Sequence, residues 1–392
     1  MNQNYKLNIT YLIAIFIILI LFFNTLGLMT AEPFRGYGRI TDHWTLYISF
    51  FILMTLVYIN KDVWNKYNFL YLCISLFVLL YVLSHFINNN FAHNQDLLLF
   101  ILTLCFMLAI IHLKWNQKLI TGIGFVTFIM NCLYIYHWSI NGQPMIKYSG
   151  LFTNTNLAGV YFFTLLCFQI YAVNRKSIVL KIVFIAGILM SLLLAYVTSS
   201  RTVLLAILTI IASWVLFKLS RKLFPYLIYI VLLFNLVFLY GYGLLANSEQ
   251  ANYLNELSRE YFNKNFFSGR ETIWNKAIEY GLESPFFGHG VGVSPQDFLP
   301  ESHYVHVHNQ YLQIFLESGF IGLALFIFLI IVIWRYLLKN IHLQIVQWSA
   351  FIFLGLLVYQ NTEISLFFNM PSIGLLHWFL ISIGVSTSIK NS

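Results

Sequence analysis

Three histidines, His303, His306 and His308, lie close together in the segment SHYVHVHNQYLQIFLES, residues 302–318. Histidine is the side chain best suited to proton transfer near neutral pH. The segment therefore predicts an acid or base at this point of the chain. Two alternatives remain open, a zinc site and a structural role as interfacial caps. Because nothing fixes a ligand geometry and the chain has no DxD or HExxH motif, we predict no metal and no cofactor.

A polar stripe follows these histidines. Asn309, Gln313 and Glu317 recur at every fourth position, so they share one face of an otherwise apolar helix. Such a stripe beside a membrane requires an aqueous cavity or polar partners. The spacing alone leaves both alternatives open.

Two arginines have positions that favour binding of an anion. Arg270 follows Ser268, the predicted N-cap of a helix, where free backbone N–H groups and the helix dipole attract negative charge. Arg201 lies in a short turn between two apolar helices. Pairing of Arg270 with a glutamate and snorkelling of Arg201 to the headgroups are the alternatives. On one membrane face, both arginines could clamp a diphosphate by bidentate hydrogen bonds.

The stretch GLFTNTNLAG, residues 150–159, concentrates small polar side chains before another apolar run. An N-cap would account for one of them. We therefore expect others, Asn154 and Asn156 in particular, to line a polar cavity.

The elements that must position these residues are membrane helices. Hydrophobic residues make up 59% of the chain and charged residues only 9%, against roughly 25% charged in a soluble domain. Apolar runs of about 17 to 25 residues predict an all-α integral membrane protein with about 12 transmembrane helices, the first of them a retained helix and not a cleaved signal. The predicted spans are 9–29, 44–60, 68–87, 97–113, 119–138, 157–173, 178–198, 202–217, 224–245, 320–338, 344–360 and 372–387.

Charge is distributed unequally between the two sets of loops. If loops alternate between sides, 14 of the 22 Lys and Arg residues lie on the side of the termini, whereas 13 of the 14 acidic residues lie on the other. By the positive-inside rule both termini are cytoplasmic. The histidines, the two arginines and the stretch 150–159 then all lie on the outer side.

One predicted outer loop, residues 246–308, is much longer than the other connections, and such loops are usually functional or disordered. Helical spacing of Leu254, Leu257, Tyr261 and Phe262 predicts one helix. Ser268 and Glu271 form a capping-box pattern that predicts a second helix, which ends near Gly281. The second helix carries an apolar stripe of Ile273, Trp274, Ala277 and Ile278, so we expect it to lie on the bundle as a lid. Without internal repeats, the chain is predicted to be one polytopic domain, 1–392.

These motifs, in this order, resemble the O-antigen ligase and O-antigen polymerase superfamily of bacterial polysaccharide assembly. The resemblance covers most of the chain. It is carried by the span count, the large outer loop before the last three spans, and the segments GLFTNTNLAG, SSR ending at Arg201, GRETIW with Arg270, GHGVG with His289 and HNQYLQIFLESG from His308.

The resemblance implies an inverting, metal-independent glycosyl transfer on the outer face of the cytoplasmic membrane, from a glycan on undecaprenyl diphosphate to a glycan or lipid-linked acceptor. It implies His308 as general base, and Arg201 and Arg270 as ligands of the diphosphate. O-antigen, lipopolysaccharide and capsule-type polymers are all compatible products. Membrane lipids are expected partners, nucleic acid is not, and contacts with other polysaccharide-assembly proteins stay open. The predicted substrate-binding residues are Asn154, Asn156, His289, His306, Asn309, Gln313 and Glu317.

Two other functions fit the same composition. A transporter or flippase of lipid-linked saccharide would place ionisable groups near the bilayer midplane, whereas here the charges gather on one side. A glycosyltransferase of another class would use an acidic residue of the first outer loop, for which Glu32 and Asp42 are the candidates.

The predicted topology can be tested by labelling. In intact cells with a permeabilised outer layer, a cysteine at Tyr253 should react with a membrane-impermeant reagent, whereas a cysteine at Lys218 should not, because basic loops face the cytoplasm. Reporter fusions to the same loops give an independent measurement. A protected Tyr253→Cys side chain would contradict the predicted topology.

Overall fold

The protein is mainly helical in the residues that the structure describes, 3–59, 64–141, 147–173, 177–262, 264–267, 269–367 and 371–390. In the computed structural model these ranges form fourteen α-helices, and the one β-type contact among them is an isolated bridge between Met29 and Phe152. The helices are α1 (Gln3–Asn24), α2 (Phe34–Ile59), α3 (Trp64–Ile87), α4 (Asn94–His112), α5 (Gln117–Ile140), α6 (Thr155–Ala172), α7 (Ile178–Val197), α8 (Arg201–Leu219), α9 (Leu227–Ala246), α10 (Ala251–Phe262), α11 (Arg270–Gly281), α12 (Gln310–Lys339), α13 (Gln344–Tyr359) and α14 (Pro371–Lys390). The predicted all-α fold is confirmed.

Every predicted span coincides with a helix, and eleven helices in the described ranges are long and apolar enough to cross a membrane. The remaining predicted span is α13, which has 16 residues, fewer than the roughly 20 that cross a bilayer. The predicted multi-pass fold therefore holds, with α13 as a short apolar helix. Of the predicted basic loop residues, Lys61, Arg175 and Lys176 lie outside the described residues.

Burial separates central from peripheral helices. In its most apolar stretch, α14 is 94% buried and α6 83% buried, whereas α7 and α9 are each 28% buried. The peripheral helices expose large apolar side chains such as Leu189 and Leu233. An apolar exposed surface of this kind is stable in lipid and costly in water.

The segment between α9 and α12, residues 247–309, contains the two predicted helices α10 and α11. Ile273, Trp274 and Ala277 of α11 are buried in a small apolar cluster with residues of α9 and α12, as their spacing predicts. The predicted capping residue Ser268 lies outside the described residues, and α11 begins after Gly269, whose φ is 82°.

The inward face of α10 is partly polar. Leu257 and Tyr261 of this helix are exposed. Ser258 is buried, and the side-chain oxygen of Asn255 accepts a hydrogen bond from the backbone N–H of Phe267 at 3.1 Å. A polar face of α10 therefore covers the interior, because the groups beneath it are themselves polar.

Helix α12 consists of two helical parts joined at Gly319. The backbone of Gly319 has φ 64° and ψ −167°, a conformation available almost only to glycine. The first part, residues 310–318, ends on the GHGVG turn, where the N–H of His289 donates to the carbonyl of Leu316 at 2.8 Å and the N–H of Gly290 to that of Glu317 at 3.1 Å. These bonds satisfy carbonyls that a helix end would otherwise leave unpaired. The turn thus holds a short half-helix whose other end follows His308 directly.

Substitution of Gly319 by alanine should destabilise the protein. A Cβ atom there would lie 2.3 Å from the carbonyl carbon of Phe286, so we expect about 1–3 kcal/mol from the backbone conformation and about 1–3 kcal/mol from overpacking. The thermal unfolding midpoint in detergent measures this loss. Gly122→Ala in α5 is the matched control, because a Cβ atom there meets nothing within 4 Å. Equal midpoints for the two variants would contradict the role given to Gly319.

Candidate functional site

A cavity of about 880 Å³ lies beneath the segment 247–309, at the ends of α6 and α8. Its lining comes from six separate parts of the chain, and most of its side chains are polar. The polar lining residues are Asn154, Thr155, Asn156, Ser199, Arg201, Thr202, Asn255, Lys264, Asn265, Arg270, Glu271, His306, His308, Tyr359 and Glu363.

Three helices begin at this cavity, α6 at Thr155, α8 at Arg201 and α11 at Arg270. The side-chain oxygen of Asn154 caps α6 by accepting from the N–H of Leu157 at 2.8 Å. The N-cap residues of α8 and α11 make no side-chain cap bond. Because each helix start carries partial positive charge and unpaired N–H groups, the convergence of three starts favours an anion in the cavity.

Glu363, in the connection between α13 and α14, joins two of the predicted residues. Its Oε1 accepts from Nη2 of Arg270 at 2.9 Å, and its Oε2 lies 3.1 Å from Nδ1 of His308. The amide of Asn156 donates to the same Oε1 at 3.4 Å. The carboxylate is buried, with 10% of its side chain exposed.

The ionic partners of Glu363 determine its charge. Burial alone would raise the pKa of Glu363, but the hydrogen bond with His308 and the charge of Arg270 outweigh it and hold the pKa below its usual value. Glu363 is therefore a carboxylate at neutral pH. Its contact with Nδ1 of His308 orients that imidazole and leaves Nε2 directed elsewhere.

The backbone at His308 is constrained from both sides. His308 has a φ of 54°, which is uncommon for a residue other than glycine. On one side Trp274 of α11 donates its indole N–H to the carbonyl of Val307 at 2.7 Å. On the other, the side chain of Asn309 caps α12 by accepting from the N–H of Leu312 at 3.0 Å. The position of His308 thus depends on both α11 and the half-helix.

His306 lies beside His308, with 4.5 Å between the ring centroids. Burial, followed by the neighbouring His308, lowers the pKa of His306 to about 4. Its Nε2 has no hydrogen-bond partner among the described residues. His306 is consequently neutral near pH 7 and presents an unpaired nitrogen.

Arg201 and Lys264 form the cationic part of the cavity, and their partners are neutral. Nη1 of Arg201 donates to Oγ of Ser258 at 2.8 Å and to the carbonyl of Phe266 at 3.4 Å. The ammonium of Lys264 donates to Oγ1 of Thr155 at 3.0 Å and, at 3.3 Å, to the carbonyl of Ser199. Burial, then the charge of Arg201, lowers the pKa of Lys264 from its usual value.

A sequence model of the family described as O-Antigen ligase matches residues 185–327. The predicted resemblance to the O-antigen ligase superfamily is confirmed. The matched part includes Arg201, Lys264, Arg270 and His308, whereas Glu363 lies beyond it. A comparison with curated proteins returns no match for the chain.

Six of the residues predicted to form an O-antigen ligase-type site line one cavity. They are Asn154, Asn156, Arg201, Arg270, His306 and His308. The remaining four, His289, Asn309, Gln313 and Glu317, are not among its lining residues. The histidine His303 is exposed and also absent from the lining.

The polar stripe of α12 finds protein partners. Gln313 donates from Nε2 to the carbonyl of Val293 at 2.8 Å and to Oε1 of Glu317 at 2.9 Å. Glu317 also accepts from the hydroxyl of Tyr81 at 3.3 Å. These buried contacts attach the half-helix to α3 and to the loop before it.

His289 of the O-antigen ligase-like GHGVG turn is also held by the protein. Its ring stacks on Tyr280 with 3.9 Å between centroids, and its Nε2 lies 2.8 Å from the carbonyl of Tyr280. The turn therefore connects the end of α11 to the half-helix.

The acidic residues considered for another enzyme class lie apart from the cavity. Asp42 is buried and accepts from the hydroxyl of Ser372 at 2.6 Å, while Glu32 accepts from the N–H of Gly36 at 3.1 Å. Neither residue belongs to the cavity lining.

Two residues of the cavity lining, Glu363 and Lys264, were not among the site residues predicted from the sequence. Glu363 is the single acidic residue after the eleventh predicted span, next to a membrane boundary, and an isolated charge of this kind is a signal for function. Lys264 had a weaker signal, since it is one of several charged residues in a long loop.

His306, His308 and Glu363 also have the composition of a metal site. Their ligand atoms lie within 4.8 Å of one another. The set differs from the cluster of three histidines considered as a zinc site, because Glu363 replaces His303. In this arrangement both carboxylate oxygens of Glu363 have partners, Arg270 on one and His308 on the other.

Proposed function

We propose that this protein is a glycosyltransferase that moves or polymerises a glycan carried on undecaprenyl diphosphate, at the outer face of the bacterial cytoplasmic membrane. The observation that carries the proposal is the contact of Arg270, Glu363 and His308 in a cavity where three helices begin. The O-antigen ligase match supports a ligase- or polymerase-type reaction.

The proposed reaction is a single displacement with inversion. The oxygen of an acceptor hydroxyl forms a bond to the anomeric carbon of the donor, and the bond from that carbon to the diphosphate oxygen breaks. The hydroxyl proton passes to Nε2 of His308. Glu363, on Nδ1 of the same ring, orients the imidazole and stabilises its protonated form, as a carboxylate does for a catalytic histidine in other enzymes.

Charge that develops on the departing diphosphate requires stabilisation. The guanidinium groups of Arg201 and Arg270, together with the starts of α8 and α11, supply positive charge before the reaction begins. Groups that are already oriented need no reorganisation as the transition state forms. Arg270 therefore has two tasks, since it also keeps Glu363 ionised.

We propose that the reaction needs no metal. A divalent ion bound by His306, His308 and Glu363 would compete with the Arg270 guanidinium for the same carboxylate and would place two cations side by side. The Arg270–Glu363 ion pair is therefore expected to persist. A metal is also not needed to stabilise the leaving group, because the arginines already supply positive charge.

Transfer activity should accordingly survive exhaustive chelation. Purified protein incubated with EDTA and then dialysed should keep at least about half of its rate, since no step depends on a Lewis acid. Glycan transfer from lipid diphosphate to acceptor is the measurement. If activity were lost and one divalent ion restored it, His306, His308 and Glu363 would be metal ligands. His308 would then not be the general base.

His308→Ala should lower turnover by about 10²- to 10⁴-fold, the usual contribution of a positioned acid or base, with little change in donor binding. His303→Ala is the matched control and should keep its activity, because His303 is exposed and does not line the cavity. Arg201→Lys and Arg270→Lys should weaken donor binding as well as turnover, since a point charge cannot replace a planar fork.

Donor binding and single-turnover rate are measured separately on purified protein. If His308→Ala abolished donor binding but left the rate of bound donor intact, His308 would be a phosphate ligand and the base would be another residue. Product formation by the purified protein also separates an enzyme from a transporter, which moves saccharide without making a glycosidic bond.

A further inference from the structure

Lys264 and Arg201 differ from Arg270 in that neither has an ionic partner in the described part of the chain. Arg270 has Glu363 as an ionic partner, and Lys276, outside the cavity, has Glu279 at 2.7 Å. Among the described residues, neither Lys264 nor Arg201 has a carboxylate within 4.0 Å. Glu271, the other acidic residue of the cavity lining, forms no ion pair with either of them, so within the described ranges Arg201 and Lys264 are the two lining cations without an ionic partner.

The attachment of Lys264 places its ammonium between two helix starts. It donates to Thr155, the first residue of α6, and to the carbonyl of Ser199, two residues before α8 begins. An ammonium has three N–H donors, and these two contacts use two of them. The remaining donor and the two helix starts favour the same kind of ligand.

This arrangement is unfavourable without an anion. Two cations in a half-buried cavity repel each other and lose hydration, and hydroxyl or carbonyl partners do not neutralise them. The lowered pKa of Lys264 is consistent with this environment. An oxyanion with several acceptor oxygens would offset both costs by charge-assisted hydrogen bonds.

We propose that Lys264, together with Arg201, binds the diphosphate of the donor and is a substrate ligand of this site. The proposal rests on the proposed function for the identity of the donor, and it assigns the phosphate to the cationic part of the cavity. The proton transfer belongs to the adjacent part, where Glu363 contacts His308. Arg270, which pairs with Glu363, serves both parts in this proposal. The cavity then has one region that binds the leaving group, with Lys264 and Arg201, and an adjacent region that activates the acceptor, with His308 and Glu363.

Inorganic pyrophosphate is the probe for this assignment, because its binding requires no glycosyl transfer. Isothermal titration calorimetry on full-length protein in neutral detergent should show saturable binding to the wild type. Lys264→Gln should weaken it about 10- to 100-fold, the effect of one hydrogen bond to a charged group. Lys264→Arg should retain most of the affinity, and Arg201→Gln should resemble Lys264→Gln.

Two controls separate binding from structure. Lys276→Gln removes an exposed lysine of the same segment and should leave pyrophosphate affinity unchanged. The unfolding midpoint of Lys264→Gln without pyrophosphate should equal that of the wild type. If Lys264→Gln and Lys264→Arg both lost binding and both unfolded at lower temperature, Lys264 would only attach the segment to α6 and α8, and the proposal would be overturned.

Further outcomes would also overturn it. These are wild-type affinity in Lys264→Gln, no saturable binding to the wild type, or glycerol phosphate bound as tightly as pyrophosphate, which would assign the site to a phospholipid headgroup. Failure of the proposed function has a different signature, in which the wild type binds pyrophosphate through Lys264 but transfers no glycan.

Discussion

A buried carboxylate stays charged only when cations or hydrogen-bond donors compensate for the hydration it has lost, and Glu363 imposes this constraint on the cavity. Arg270 and His308 supply the compensation, from the start of α11 and from the residue two positions before α12. Three distant parts of the chain are thereby required to meet. The geometry of the proposed base follows from a requirement of charge balance.

The support of that contact extends well beyond the cavity. His308 precedes a half-helix whose far end is held by the GHGVG turn and interrupted at Gly319. Gln313 and Glu317 attach the same half-helix to its neighbours. Motif residues without access to the cavity thus act by fixing the backbone that presents His308. A short helix held at both ends resists the small displacements that would weaken proton transfer.

Charge is distributed within the cavity in a way that suits a reaction with two different demands. Around Glu363 the charges are balanced, because the carboxylate contacts both Arg270 and His308. Around Arg201 and Lys264 they are unbalanced, which favours a ligand with negative charge. The helix starts of α6 and α8 strengthen the second region, and the polar face of α10 covers it. One cavity can therefore bind an anion in one region and keep the proposed base in the other.

The sequence by itself determined the all-α membrane fold, the spans and the apolar face of α11, because bilayer thickness and helical periodicity leave direct traces in the order of residues. It also identified Arg201, Arg270, His306 and His308 as candidate site residues, because arginine and histidine side chains can bind anions or transfer protons. Only the tertiary structure decided that Asn309, Gln313 and Glu317 have partners inside the protein and that Glu363 and Lys264 line the cavity. Glu363 is 55 residues from His308 in sequence, and no local pattern encodes a contact over that separation. Periodicity specifies which face of a helix is polar, whereas the packing of other helices decides whether that face meets a substrate or the protein itself.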